Sequence, residues 1–420
     1  MITINFFLSV YLTIYLIVSV TDIIIDLIND AHLRKHGKEV PPGFEGIIDE
    51  EKLGQINDYT VDNNRLAVAR TIAGKIVFLF IILSGFLPWL SEILKETNFI
   101  LAGLIFFTVP GLAGALVDLP FNYYHIFRIE ERYGFNTRTV KTWIADLLKS
   151  LIITVILGTI LLSLLLVMVE YTGSSWWFWA WLIFFLFQIL MSILYPTIIA
   201  PVFNKFTPVK DNDLDKSIRE LADREGINVK GIFQMDAGKR SRHTNAYFSG
   251  LGKSKRIVLY DTLLESHKKD EILAVLAHEI GHLKKGHIRK QVVIISAVSF
   301  ILFFIASRMI SWNFMYESFG FSSMPLYAGL FLIAVIWEPV GFFLSPFSMA
   351  ISRKFEREAD HYVYRSLKSA EYFISALKKM ALDNLSNLCP HPLYVCFNYS
   401  HPPLPERIKN LEKLGQDLHA

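Results

Sequence analysis

The stretch "LAVLAHEIGHLKKGHI", residues 273–288, sets His278, Glu279 and His282 in a run that reads as a helix. In a helix, residues four apart lie about 40° from one another around the axis, one turn up. His278 and His282 therefore point the same way, as two imidazoles gripping one zinc must. Glu279 falls to the side of the pair, where a carboxylate can reach an activated water rather than the metal; that is the mechanical content of the H-E-x-x-H spacing. Gly281 leaves no side chain between the two histidines, so another segment can approach closely. By composition, a chance match in a chain of this length has odds of about one in a hundred. The bland alternative is a solvated helix with satisfied histidines, and His287, further along, shows that a histidine here need not be a ligand.

A catalytic zinc needs a third protein ligand and an open position. No histidine stands at the spacing that would supply it nearby. The next candidate is "SRKFEREADHYV", 352–363, where Glu356 and Asp360 lie four apart at the polar start of a helix. Glu356 would complete a His, His, Glu set, and Asp360 on the same face would orient a ligand histidine from behind. Read alone, "EREAD" is first an ordinary charged face. In "SHPPLPERIKNL", His401 precedes a rigid Pro-Pro turn and Arg407 lies in the helix that follows. Either, placed near the metal, could stabilise an oxyanion; the alternative is a helix-start turn with a surface arginine.

The elements that must position these groups are mostly apolar. Of 420 residues, 52% are hydrophobic and 19% charged, against about a quarter charged in soluble domains. Seven stretches fit a bilayer crossing of about 20 apolar residues, near 5–28, 72–90, 99–121, 150–169, 176–200, 291–310 and 326–350. The first lacks a basic leader and a small-residue cleavage site, so it reads as an anchor rather than a signal peptide. Lys and Arg concentrate in the loops after spans one and three and in the long segments after spans five and seven, and are nearly absent from the other loops. The positive-inside rule then puts the N-terminus outside and both large polar segments in the cytosol. A net charge of +3 without a basic tract excludes a nucleic-acid partner. Cys389 and Cys396 are too few for a disulfide framework, and reduced thiols are expected.

The chain divides into a five-helix membrane region with cytosolic loops (1–203), a first polar block (204–290), spans six and seven (291–351) and a second polar block (352–420). In the first block, "DLDKSIRELADREG" has helical periodicity and ends at a glycine. "VKGIFQMDAG", "TNAYFSGLG" and "KRIVLYDTLL" are short β-rich runs, so a small sheet is expected before the histidine-bearing helix. The fold class is thus mainly α and polytopic, with an α+β polar domain split by the last helix hairpin.

Together the pieces resemble one family, the type I CAAX prenyl endopeptidases, which are integral-membrane zinc metalloproteases. The resemblance lies in HExxH joined to "FEREAD" (355–360), and in "HTNAYFSGLGKSKRIVLYDTLL" (243–264), "IEERYGFNTRTVKTW" (129–143), "IIAPVFNKFTPV" (198–209) and "YSHPPLPERI" (399–408). It implies one zinc held by His278, His282 and Glu356, with Glu279 as general base and Asp360 behind a ligand. It implies His401 and Arg407 near the reaction centre, and substrate held at a strand containing His243, Asn245 and Ala246. An edge strand suits that task, because β-addition holds a peptide extended through main-chain hydrogen bonds. The implied fold encloses an intramembrane chamber; Asp22, Asp26, Asp118 and Glu338, acids within or at the ends of spans, suit a wet interior better than lipid. The implied substrate is a peptide or protein at the bilayer, prenylated or not. The chain ends "GQDLHA" without a retrieval signal, which gives the expectation of a prokaryotic relative whose native substrate need not be prenylated. Two rivals stay open: a quality-control metalloprotease with broad substrates, and a non-catalytic membrane scaffold or transporter with a relic zinc site.

Overall fold

The computed structural model describes residues 2, 4–249 and 255–416. Gly250–Ser254 of the "HTNAYFSGLGKS" segment and the terminal "DLHA" lie outside the described residues.

Seven helices among the described residues are long and apolar enough to cross a membrane. Helix α1 (Phe6–His36) starts at Asn5, whose side chain accepts from Leu8 N. Helix α2 runs Glu50–Leu83, capped by Asp49, and the short α3 follows at Phe86–Ile93. The second span was expected to run to residue 90. It stops at Leu83 because Gly85 turns left-handed, φ 80°, and starts a separate helix; apolarity alone cannot register such a break. At its other end α2 extends through the polar stretch 50–71. Helix α4 (Phe99–Tyr124) continues into a π-helical turn at His125–Glu130. Helix α5 is Val140–Tyr171 and α6 is Trp176–Leu194. A π turn at Tyr195–Ile199, containing Pro196, leads into α7 (Ala200–Phe203).

The first polar block holds β1 (Phe206–Pro208), α8 (Asn212–Arg224), β2 (Val229–Met235), β3 (Ala246–Ser249), β4 (Lys255–Tyr260), α9 (Asp261–Ser266) and α10 (Lys269–Lys284). The strands form one sheet in the order β1-β2-β4-β3. Pairing is antiparallel except between β2 and β4. Central β4 buries Ile257, Val258 and Leu259 in succession, as a strand covered on both faces does. β3 is an edge strand, in register Ala246 with Leu259 through Ser249 with Arg256.

Helix α11 (His287–Met309) follows α10 after Gly286, which is left-handed. Then come α12 (Asn313–Ser318), α13 (Leu326–Leu367), α14 (Glu371–Asp383), α15 (Pro392–Asn398) and α16 (Leu404–Gln416). At 1.5 Å per residue the 42 residues of α13 span about 63 Å, twice a hydrocarbon core. One unbroken helix therefore carries both the seventh span and, beyond it, Glu356 and Asp360; residue 351 falls within it.

Three apolar cores show which ends of the spans lie together. One joins Phe44, Ile48, Leu53 and Ile56 of the first loop to Phe135 of the second and to Ala381, Leu385, Leu388 and Ile408. Another joins Leu214, Ile232 and Leu276 to Val363, Phe373 and Leu411. Both polar blocks and both basic loops thus pack as one body at one end of the bundle. At the other end Leu87, Leu90 and Trp176 pack with Met315, Tyr316 and Phe319. Between the ends, Arg70 forms a two-pronged pair with Asp118 (both 2.7 Å) and Lys75 pairs with Glu338 at 2.6 Å. The Arg70–Asp118 side chains are about half open. Charged side chains within spans pair with one another rather than face lipid, and these two pairs tie α2 to α4 and to α13.

Candidate metal centre

The start of α10 is fixed by Glu271, whose carboxylate accepts from Lys268 N at 2.7 Å. The same buried side chain accepts from Ser375 Oγ and Lys379 Nζ of α14. From that anchor, Ile272, Val275, Leu276 and Ile280 are buried. The helix is thereby held with His278 buried and Glu279 half-buried. At Gly281 it meets α13: a Cβ there would sit 2.9 Å from Tyr362 Cβ and 3.0 Å from Ala359 Cα. The close approach allowed by that glycine brings α13 against the two histidines.

His278 Nε2 and His282 Nε2 are 3.1 Å apart. Glu356 Oε2 is 3.4 Å from the first and Glu356 Oε1 3.3 Å from the second. One ligand atom from each residue can be chosen so that all three lie within 4.8 Å of one another. Glu356 Oε2 is buried with no hydrogen-bond partner, which a metal ion would remedy. Two imidazole nitrogens and a carboxylate oxygen turned on one point fit a divalent transition metal.

Around this group the other predicted residues take distinct places. Asp360 Oδ1 lies 2.9 Å from His278 Nδ1, behind the ring. Burial draws the His278 imidazole down, but Asp360 and Glu356 outweigh it and hold the metal-free ring up at about 9. Burial raises the Glu279 carboxyl, against the neighbouring His278 and His282. His401 Nε2 is 3.3 Å from Glu356 Oε1, with the side chain 60% exposed, and burial among its neighbours lowers its value although Glu356 opposes this. Ser400 Oγ lies 2.9 Å from its Nδ1, so Nε2 is the nitrogen turned toward Glu356.

Two of the predicted residues are held by partners of their own. Arg407 was read as a candidate oxyanion donor. It is buried, and its Nε and Nη2 donate to Asp360 at 2.9 and 2.6 Å, with its guanidinium over Phe373. Two of its donors are thus closed on a carboxylate: Arg407 fixes Asp360, which lies against His278, and its Nη2 stands 3.8 Å from Glu356 Oε2 at the metal-facing group. His243 was placed among substrate-binding residues. Its ring is stacked on Phe135 at 4.2 Å, between Glu130 Oε2 (3.2 Å) and Asn384 Oδ1 (3.1 Å). Both nitrogens are occupied, so the side chain braces the strand instead of meeting a ligand. Asn245 is exposed and Ala246 buried, at the head of edge strand β3.

Sequence reasoning missed the braces. Asn384 accepts from Thr244 N as well as contacting His243. Arg353 Nη1 donates to Val395 O and Tyr399 O, both 2.8 Å, which pins the loop carrying His401 to α13. Glu130 and Phe135 lie in the quoted "IEERYGFNTRTVKTW" and Arg353 in "SRKFEREADHYV", but nothing in those stretches marked them as braces.

A seven-span bundle with a His-Glu-x-x-His helix and a glutamate brought in by the last span defines a class: a membrane-embedded metalloendopeptidase. The comparisons agree. Residues 29–205 match the family described as CAAX prenyl protease N-terminal, five membrane helices, and 208–415 match peptidase family M48. The CAAX prenyl protease 1 homolog of Arabidopsis thaliana is 34% identical over 388 residues, covering 90% of this chain and 91% of the relative. CAAX prenyl protease 1 of Saccharomyces cerevisiae is 34% identical, covering 90% and 89%; the Homo sapiens homolog is 31% identical, covering 90% and 89%. The crystal structure of S. mikatae Ste24p superposes with a TM-score of 0.89 at 32% identity, over 96% of this chain and 99% of that one. The chain belongs to peptidase family M48, in its CAAX prenyl protease branch.

Proposed function

We propose that this chain is a zinc-dependent endopeptidase that hydrolyses peptide bonds near the C-terminus of prenylated CAAX-type or related membrane-associated peptides. The observation that carries this is the convergence of His278, His282 and Glu356 from helices either side of the span hairpin. Bonds of about 2.0–2.1 Å at tetrahedral angles set zinc ligands about 3.3 Å apart; the two Nε2 atoms are 3.1 Å apart, and each lies 3.3–3.4 Å from a different oxygen of Glu356. The substrate class comes from the relatives, which are named CAAX prenyl proteases.

His278, His282 and Glu356 would hold the zinc, which supplies Lewis acidity for activating water and polarising a carbonyl. Glu279 takes a proton from the attacking water and later delivers it to the departing amine; its burial-raised carboxyl brings it nearer the operating pH, where a general base works best. His401, exposed beside Glu356, donates to the oxyanion as it forms. The free edge of β3, from Asn245 and Ala246 onward, pairs with the extended substrate. The basic loops support an orientation with the protease body in the cytosol and the N-terminus outside, in the endoplasmic reticulum of a eukaryote or the inner membrane of a bacterium.

The test compares hydrolysis of a farnesylated CAAX peptide with its unlipidated form, products read by mass spectrometry. Faster cleavage of the lipidated peptide supports the reading; equal rates point to broad quality control, and zinc without cleavage to a scaffold. Glu279→Gln is expected to keep zinc and lose turnover by about 10²–10⁴-fold.

A further inference from the structure

His282 is held from both sides. Its Nε2 faces the metal position, 3.1 Å from His278 Nε2. Its Nδ1 lies 2.9 Å from His287 Nδ1, and His287 Nε2 lies 3.1 Å from Glu358 Oε2. Lys290 Nζ stands 3.5 Å from the same carboxylate oxygen.

The hydrogens along this row follow from its ends. Glu358 as a carboxylate only accepts, so His287 Nε2 must donate to it. His282, if Nε2 offers its lone pair to a metal, carries its hydrogen on Nδ1 and donates to His287 Nδ1. His287 Nδ1 is then the acceptor, and one neutral tautomer satisfies both contacts. The ring is also fixed in place: His287 is 3% exposed and lies flat on Phe355, centroids 4.3 Å apart and planes 9° apart.

The chain path makes this more than a buried histidine. His287 is the first residue of α11, set by the left-handed turn at Gly286. Glu358 stands two residues beyond Glu356 on α13. The row therefore ties the inner ends of spans six and seven to the metal-facing ring between them. His278 has its acid directly, in Asp360; for His282 an imidazole spans the gap to an acid on the same helix.

We propose that His287 and Glu358 are positioning residues for the metal centre: His287 sets the tautomer and ring plane of His282, and Glu358 sets His287. The proposal rests on the zinc reading above and adds to it His287, outside the HExxH stretch, and Glu358, a position within "FEREAD" to which the resemblance assigns no role. Removal of such an outer partner weakens metal binding by about 10–100-fold.

The experiment measures the zinc dissociation constant of full-length detergent-solubilised protein, by competition with a chromogenic chelator, beside the absorption spectrum of the Co(II)-substituted form. His287→Phe keeps a ring on Phe355 and loses both hydrogen bonds; Glu358→Leu loses the acceptor, and Glu358→Gln keeps one. Expected are about 10–100-fold weaker zinc for His287→Phe and Glu358→Leu, an altered Co(II) spectrum in both, and recovery of most of the affinity in Glu358→Gln. His267→Phe, at another buried histidine, is expected to lower the melting temperature without moving zinc affinity. Should His287→Phe fail to fold, the partly exposed Glu358 carries the test through its Leu and Gln forms. Wild-type affinity and spectrum in the folded variants would overturn the proposal. Absence of zinc binding in the wild type would instead sink the metal reading itself.

Discussion

Replacing Gly281 with alanine adds one methyl group where α10 crosses α13. That Cβ would lie 2.9 Å from Tyr362 Cβ, 3.0 Å from Ala359 Cα and 3.2 Å from Ala359 O. Favourable carbon–carbon contacts are about 3.5–4.0 Å, so the helices must part by about 0.6–1 Å. None of the three atoms can rotate away, since two are backbone and the third is fixed to it. Overpacking of this kind costs about 1–3 kcal/mol, while glycine to alanine in a helix returns about 1 kcal/mol. Net stability therefore falls by only about 0–2 kcal/mol, and melting alone does not isolate the effect. The metal site does. Glu356 and Asp360 flank Ala359 within one turn, and metal–ligand distances tolerate about 0.2 Å; a shift several times larger pulls the carboxylate off the histidine pair. Zinc binding should weaken strongly, and turnover fall by about 100-fold, the cost of a 1 Å misplacement. The assay is chelator competition and peptide cleavage on Gly281→Ala beside Gly54→Ala, a helical glycine with nothing within 4 Å of its added Cβ. The control should gain stability and leave zinc unchanged. Wild-type zinc affinity and turnover in Gly281→Ala would refute the argument that this crossing sets the ligand geometry.

Two further outcomes follow from the charges. Arg407→Ala leaves Asp360 buried without its partner, both side chains being under a tenth exposed, and should cost about 3–5 kcal/mol in unfolding measurements; Arg407→Lys should recover part, because an ammonium cannot make the two-pronged contact. In metal-free protein His278 is raised from 6.5 to about 9, so its contribution to stability is complete below pH 6.5 and is lost as pH climbs through 9. Metal uptake must displace that proton, so the melting-temperature gap between zinc-loaded and chelated protein should widen from pH 6.5 to 9; a gap that narrows over this range would contradict the assigned direction.

Much of this molecule was legible in its residues because the relevant patterns are local. A bilayer demands some twenty apolar residues in a row, so seven crossings could be counted, and only a change of backbone hand at Gly85 displaced an end of the second. His278 and His282 share one helical face by periodicity alone. Glu356 could be nominated from "FEREAD", but nothing in its neighbourhood distinguishes a ligand from a charged face. That distinction depends on where the helix lies in space.

What one dimension determined, then, was the HExxH face, the spans, their alternation and the amphipathic α8. What only the tertiary structure decided was which long-range partners meet. It brought Glu356 against the histidines across the whole span hairpin, turned Arg407 onto Asp360, and closed His243 between Glu130 and Asn384. It also set His287, read in the sequence only as a histidine that need not be a ligand, between His282 and Glu358. The physical reason is one of range: helical periodicity and bilayer thickness act over a few turns of contiguous chain and leave a mark in it, whereas the direction of a buried polar side chain is set by whichever partner, tens or hundreds of residues away, satisfies it.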